Sequence, residues 1–143
     1  MIRRMLALAT LFLTTGCAMQ PSSGPSAYPV VECSVAYRSS PEMSQQDTQM
    51  IEMAAGDKPK FLQWDDLTLQ VRYDFSEYES TTFIIDVLKS GEEAYLTRSL
   101  YQLSQERPLE NQFSGGHGFT GLHYVHHPET QAELQFFCSA KES

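Results

Sequence analysis

The chain has 143 residues, 18 of them acidic and 10 basic, and its formal net charge at pH 7 is −8. Binding to the phosphate backbone of nucleic acids depends on clustered lysine and arginine, so this composition argues against a nucleic-acid-binding protein. The length, with 41% hydrophobic residues, suits one domain with one core and is too short for two.

The N-terminus has the three parts of a secretory signal peptide. Arg3 and Arg4 precede an uncharged apolar run over residues 5–13, and small residues follow at 14–16. The apolar run is about half of the ~20 residues that a membrane-spanning helix needs. We therefore expect export and removal of residues 1–16, which leaves a net charge of about −10 because two arginines and no acidic residue are lost.

The cleavage region reads Leu13-Thr14-Thr15-Gly16-Cys17, which resembles the lipobox of bacterial prolipoproteins, with threonine at position 14 where leucine is usual. The resemblance implies cleavage after Gly16 and attachment of lipid to Cys17, so that a membrane is a partner. Ala18 stands where lipoproteins kept in the inner membrane carry aspartate, which implies the outer membrane. An exported soluble protein with a chance Gly-Cys pair is the alternative.

A flexible tether is predicted over residues 17–30. The twelve residues from Ala18 to Pro29 contain three prolines, one glycine and three serines, and they show no apolar periodicity. A single globular domain then follows over residues 31–143.

Alternation of apolar and polar residues dominates this domain. It predicts half-buried strands over residues 31–38 and 68–75. Two apolar runs at 81–88 and 94–101 flank a turn and predict a hairpin. A second hairpin is predicted for 119–127 and 132–138, because Pro128 suits a turn between them.

One segment favours a helix instead. Ser44 and Asp47 have the spacing of a capping box, and Gly56 could end a helix whose apolar face includes Met50, Ile51, Met53 and Ala54. The predicted fold is therefore mainly β, an antiparallel sandwich or small barrel of about six strands with at most one or two short helices.

Cys33 and Cys138 remain once Cys17 is assigned to lipid. An even pair of cysteines in the oxidising envelope predicts a disulfide between the first and last strands. Two free buried thiols or a catalytic cysteine are the alternatives, although a reactive thiol needs a neighbouring base or cation that the sequence does not offer.

A glycine-rich segment is the most unusual part of the mature chain. It provides the candidate binding residues Ser114, Gly115, Gly116, His117, Gly118 and Phe119, because loops at sheet ends often carry binding residues. The alternative is a loop that enters a strand through a bulge. A phosphate loop is excluded, since no Gly-Lys-Ser/Thr follows.

All four histidines, His117, His123, His126 and His127, lie within eleven residues. In one strand His123 and His127 would be about 13 Å apart, too far to share an ion without help from Asp65, Asp66 or Glu133. No Gly-x-Ser-x-Gly motif is present and the paired carboxylates lie in polar turns. The sequence therefore predicts no metal site, no cofactor and no catalytic residue.

The first functional hypothesis is a non-enzymatic lipoprotein with a binding or structural role at the outer membrane and an envelope protein or glycan as partner. Within this class, the lipobox, tether, small β domain and terminal cysteines are similar to those of membrane-bound lysozyme inhibitors. The segment 114–121 loosely resembles their Ser-Gly-rich loop, but Leu122-His123-Tyr124-Val125 stands where their Trp-containing strand is expected. A metal-dependent envelope enzyme using the region 117–127 is the other hypothesis.

Overall fold

A computed structural model describes residues 24–45, 47–78, 80–105 and 109–141. The predicted signal peptide, Cys17 and the first part of the predicted tether lie outside the described residues. The rest of the tether contains a short 3-10 helix, Pro25–Ala27. No helix within the described ranges is both long and apolar enough to span a bilayer.

The domain is a sandwich of two antiparallel sheets, which confirms the predicted mainly β fold. The order is β2-β1-β8-β7 in sheet I and β3-β4-β5-β6 in sheet II. The strands are β1 Val31–Arg38, β2 Asp47–Met53, β3 Lys60–Gln63, β4 Leu67–Asp74, β5 Thr81–Lys89, β6 Tyr95–Leu103, β7 His123–His126 and β8 Glu133–Ala140.

Sheet I is built around β1 and β8. The predicted alternation of β1 is observed, with Val31, Cys33, Val35 and Tyr37 buried and the residues between them partly exposed. Cys33 lies directly opposite Cys138 of β8, and the predicted disulfide joins them. Their Cα atoms are 4.0 Å apart, slightly closer than the usual 4.4–6.8 Å, because directly opposed residues of antiparallel strands approach closely.

Sheet II is built around β4 and β5, whose apolar side chains face sheet I. The predicted hairpin of β5 and β6 is observed, with a register shift at Val87 and Leu88. On the outer face of β5 the carboxylate of Asp86 is buried. It accepts hydrogen bonds of 2.6 and 3.0 Å from Arg98 and lies 3.6 Å from Arg72. These two guanidinium groups satisfy a charge that burial would otherwise penalise.

The predicted helix at 44–56 is wrong, because residues 47–53 form strand β2. Ile51 and Met53 are buried while Met50 and Glu52 are exposed, which is the period of a strand. Pairing with β1 along seven residues outweighs a weak local preference for a helix. Asp47 caps no helix; its carboxylate accepts hydrogen bonds from Trp64 and Gln49.

One further strand and one strand boundary differ from the sequence prediction. The four-residue strand β3 was not predicted, because it is short and, among the described strands, pairs with β4 alone. The strand predicted to begin at residue 119 begins at His123, since residues 118–120 form a turn.

The chain enters the sandwich at one end and most hairpin turns lie at the other. Near the entrance, Lys141 donates its N–H to the Val30 carbonyl, and the Tyr73 hydroxyl donates to the Pro29 carbonyl. At the far end Tyr37 stacks on Trp64 with ring centroids 5.2 Å apart. Burial and the hydrogen bond from its hydroxyl to Asp66 raise the pKa of Tyr37 to about 12.

Candidate functional site

The glycine-rich segment lies along the end of β8. Gly115, Gly116, Gly118 and Gly121 all have positive φ, which glycine adopts without the steric cost of a side chain. Gly118 approaches the backbone of Cys138 so closely that a Cβ there would overlap its carbonyl oxygen. The segment is therefore attached to β8 and is shaped by its glycines.

Gly118 and Phe119 belong to the core, which corrects their assignment to a contact surface. Phe119 is buried with its ring 5.8 Å from that of Phe83 and 5.5 Å from that of Tyr101. Its N–H donates to the Cys138 carbonyl at 3.0 Å. Of the candidate binding residues, Ser114, Gly115 and Gly116 are exposed, and His117 is partly exposed.

His117 forms one wall of a shallow groove on the outer face of sheet I. Its ring packs edge-on against Phe137 at 5.4 Å and lies over Gly115, where a Cβ would approach the ring to 3.2 Å. The groove has a volume of about 210 Å³. It is lined by residues that include Ser34, Ala36, Gln45, His117, Gln135 and Phe137.

Exposed apolar side chains surround this groove. Met50 of β2 is 57% exposed and Tyr124 of β7 is 54% exposed. By strand register, Met50 lies in one cross-strand row with Ser34 and Phe137, and Tyr124 lies in the next row with Gln135 and Ala36. We call the surface formed by Ser34, Ala36, Met50, His117, Tyr124, Gln135 and Phe137 the docking face.

Ion pairs border the docking face on two sides. At the entrance end Lys141 pairs with Glu52. At the far end the buried carboxylate of Glu133 accepts a hydrogen bond of 2.7 Å from Arg38 and lies 3.4 Å from His126. Burial raises the pKa of Glu133, but hydrogen bonds from Arg38 and Gln135 outweigh it, so the pKa is lowered overall. The face thus carries the apolar side chains of Met50, Tyr124 and Phe137 between charged ends.

The four histidines have separate partners. His123 stacks on Phe136 at 4.9 Å, and its Nε2 lies 3.0 Å from the Thr120 carbonyl oxygen and 3.1 Å from the Tyr101 hydroxyl. His127 binds backbone N–H groups of the following turn.

Of the acidic residues considered as partners for the histidines, Glu133 lies beside His126, whereas Asp66 bonds to Tyr37. Within the described part of the chain, no three histidine, cysteine, aspartate or glutamate side chains form a group that could hold a metal ion.

Of the residues on this face, the sequence analysis singled out His117 but not Met50 or Tyr124. Met50 lies in the segment that was predicted to be helical, where it was assigned to an apolar face. Had residues 47–53 been interpreted as a strand, the alternation would have placed Met50 on the exposed side.

No protein-family profile, curated protein or solved structure matches the chain.

Proposed function

We propose that the protein is a non-enzymatic lipoprotein of the outer membrane that binds an envelope protein through the docking face. The observation that supports this most is the set of exposed apolar side chains around the groove at His117, bordered by ion pairs. An apolar centre with a polar rim is the usual anatomy of a protein–protein interface. The disulfide lies beneath this face and joins the two strands that form its floor.

The size of the groove favours a protein partner over a small molecule. Its volume of about 210 Å³ is below the ~300–1,000 Å³ of typical ligand pockets. A groove of this size suits one protruding side chain, which is how anchor residues bind at interfaces. Because the chain carries a net charge of −8, a partner with a basic surface would associate faster.

Replacement of both Met50 and Tyr124 by serine is expected to weaken partner binding about 30-fold or more, because loss of large apolar contacts at an interface costs about 2 kcal/mol. The measurement is recovery of crosslinked partner from intact cells, followed by affinity measurement with the partner so identified. Unfolding free energy should change by about 0.5 kcal/mol or less per exposed site.

Tyr95 and Leu100 provide a matched control on the outer face of sheet II. They are 52% and 54% exposed, close to the values for Tyr124 and Met50. Serine at both positions should leave partner recovery unchanged. Equal loss in the two double variants, or no loss in either, would contradict a specific docking face.

The membrane anchor rests on the lipobox resemblance and has its own test. The Cys17→Ser variant should accumulate as an unlipidated precursor. In Triton X-114 separation it should be found in the aqueous phase and not in the detergent phase. Diacyl or triacyl anchoring is stable, whereas a protein without acyl chains has no comparable membrane affinity. Outer-membrane fractionation of Cys17→Ser identical to that of wild type would disprove the anchor.

A further inference from the structure

The turn between β7 and β8 is held closed by the side chain of His127. The Nδ1 atom of this buried ring accepts hydrogen bonds from the backbone N–H groups of Glu129 and Thr130, both at 3.2 Å. A ring nitrogen that accepts two N–H groups cannot carry a proton itself. The geometry therefore assigns His127 as neutral, with its proton on Nε2.

Other contacts also hold the turn. The His127 N–H donates to the Ala132 carbonyl at 2.8 Å, and the Gln131 N–H donates to the His127 carbonyl at 3.0 Å. Gln131 has a φ of 63°, unique among the described non-glycine residues, and such a conformation persists only where surrounding bonds enforce it. Glu129 pairs with Lys89 of β5 at 3.0 Å and so joins the turn to sheet II.

We propose that the turn at residues 128–131 is a pH-sensitive latch, closed when His127 is neutral and open when its ring is protonated. A proton on Nδ1 converts the acceptor into a donor that faces two N–H groups, so both hydrogen bonds are lost. Histidine is the side chain whose ordinary titration falls between pH 5 and 8.

The charged groups nearby do not cancel this effect. Glu129 attracts a protonated His127 ring, but an imidazolium that turns toward it competes with Lys89 and leaves the two N–H groups without an acceptor. Protonated His126 would strengthen its contact with Glu133, which Arg38 also holds, and this contact favours pairing of β7 with β8. This contact opposes separation of the strands at His126, so opening should be large in the turn and small at the adjoining end of β7.

Opening of the turn should also affect partner binding at the docking face, an expectation that rests on the proposed function. Strand β7 has four residues, pairs with β8 alone among the described strands and carries Tyr124. An open turn leaves the end of β7, two residues beyond Tyr124, without support on one side. Partner binding should then weaken in mildly acidic conditions.

Amide hydrogen exchange of the purified full chain, with no ligand present, tests the latch. After correction for intrinsic exchange, the protection of the Glu129 and Thr130 amides should fall about tenfold or more between pH 7.5 and pH 5.5. In His127→Asn, the side-chain Oδ1 takes the place of Nδ1 and does not titrate, so protection should stay within about twofold. His126→Gln should behave like wild type.

Equal pH dependence in wild type and His127→Asn, or none in wild type, would overturn the latch. If His127→Asn does not fold, the ¹⁵N NMR chemical shifts of the wild-type His127 ring show which nitrogen carries the proton. A proton on Nδ1 at pH 7.5 would overturn the proposal. Loss of partner recovery at pH 5.5 in wild type but not in His127→Asn tests the link to docking. Because the exchange measurement needs no partner, failure of the docking face and failure of the latch give different results.

Discussion

The Gly118→Ala variant is expected to lose about 3 to 5 kcal/mol of unfolding free energy, or to fail to fold. Two costs combine: an L-residue at positive φ costs about 1 to 2 kcal/mol, and the new Cβ overlaps the Cys138 carbonyl oxygen. The overlap involves backbone, so no side chain can rotate away. To relieve the overlap, the segment that contains Phe119 would have to move away from strand β8. This movement would expose buried core side chains to water. Urea denaturation measures the loss.

Gly116→Ala is the matched control for that variant. Gly116 also has positive φ, but the space around it is open. It should therefore lose only the conformational cost of about 1 to 2 kcal/mol. If the two variants are equally stable, the close approach at Gly118 contributes nothing and the expectation fails.

Replacement of both Cys33 and Cys138 by alanine is expected to lower the unfolding free energy by about 2 to 5 kcal/mol. The disulfide joins cysteines that are 105 residues apart in sequence, so the loop that it closes contains nearly the whole domain. A crosslink that closes a longer loop removes more conformational entropy from the unfolded chain. We expect the melting temperature to fall by about 10 °C or more. Circular dichroism during heating measures it.

Reducing agent provides the control for the disulfide. It should lower the melting temperature of the wild-type protein toward that of the double variant and leave the double variant unchanged. A wild-type melting temperature that does not respond after complete reduction would show that the crosslink does not stabilise the domain.

Much of the fold could be predicted because several strands are half-buried. In β1 and β4 every second residue faces the core, so the sequence alternates and the strands are visible without knowing their partners. In β5 residues Phe83 to Val87 are buried on both faces, including Asp86. The burial of Asp86 could not be predicted, since its partners Arg72 and Arg98 come from neighbouring strands.

The candidate site was only partly predictable for a similar reason. Glycine content identified the segment around His117, but not that Gly118 would be fixed by the backbone of β8. The docking face depends on which strands are neighbours, and Met50 and Tyr124 share a face only because β1 and β8 lie between β2 and β7. Nothing in local sequence encodes that order.

The position of the disulfide also determines how the domain would carry mechanical load. A pull on the N-terminal chain enters β1 at Val31, and Cys33 is only two residues further along. The residues of β1 before Cys33 can separate from β8 under force. Beyond that point the force passes through the Cys33–Cys138 disulfide into β8. Because β1 and β8 form the floor of the docking face, a bound partner and the N-terminal chain are connected by a short, crosslinked path. Tension between them should leave most of the sandwich unloaded.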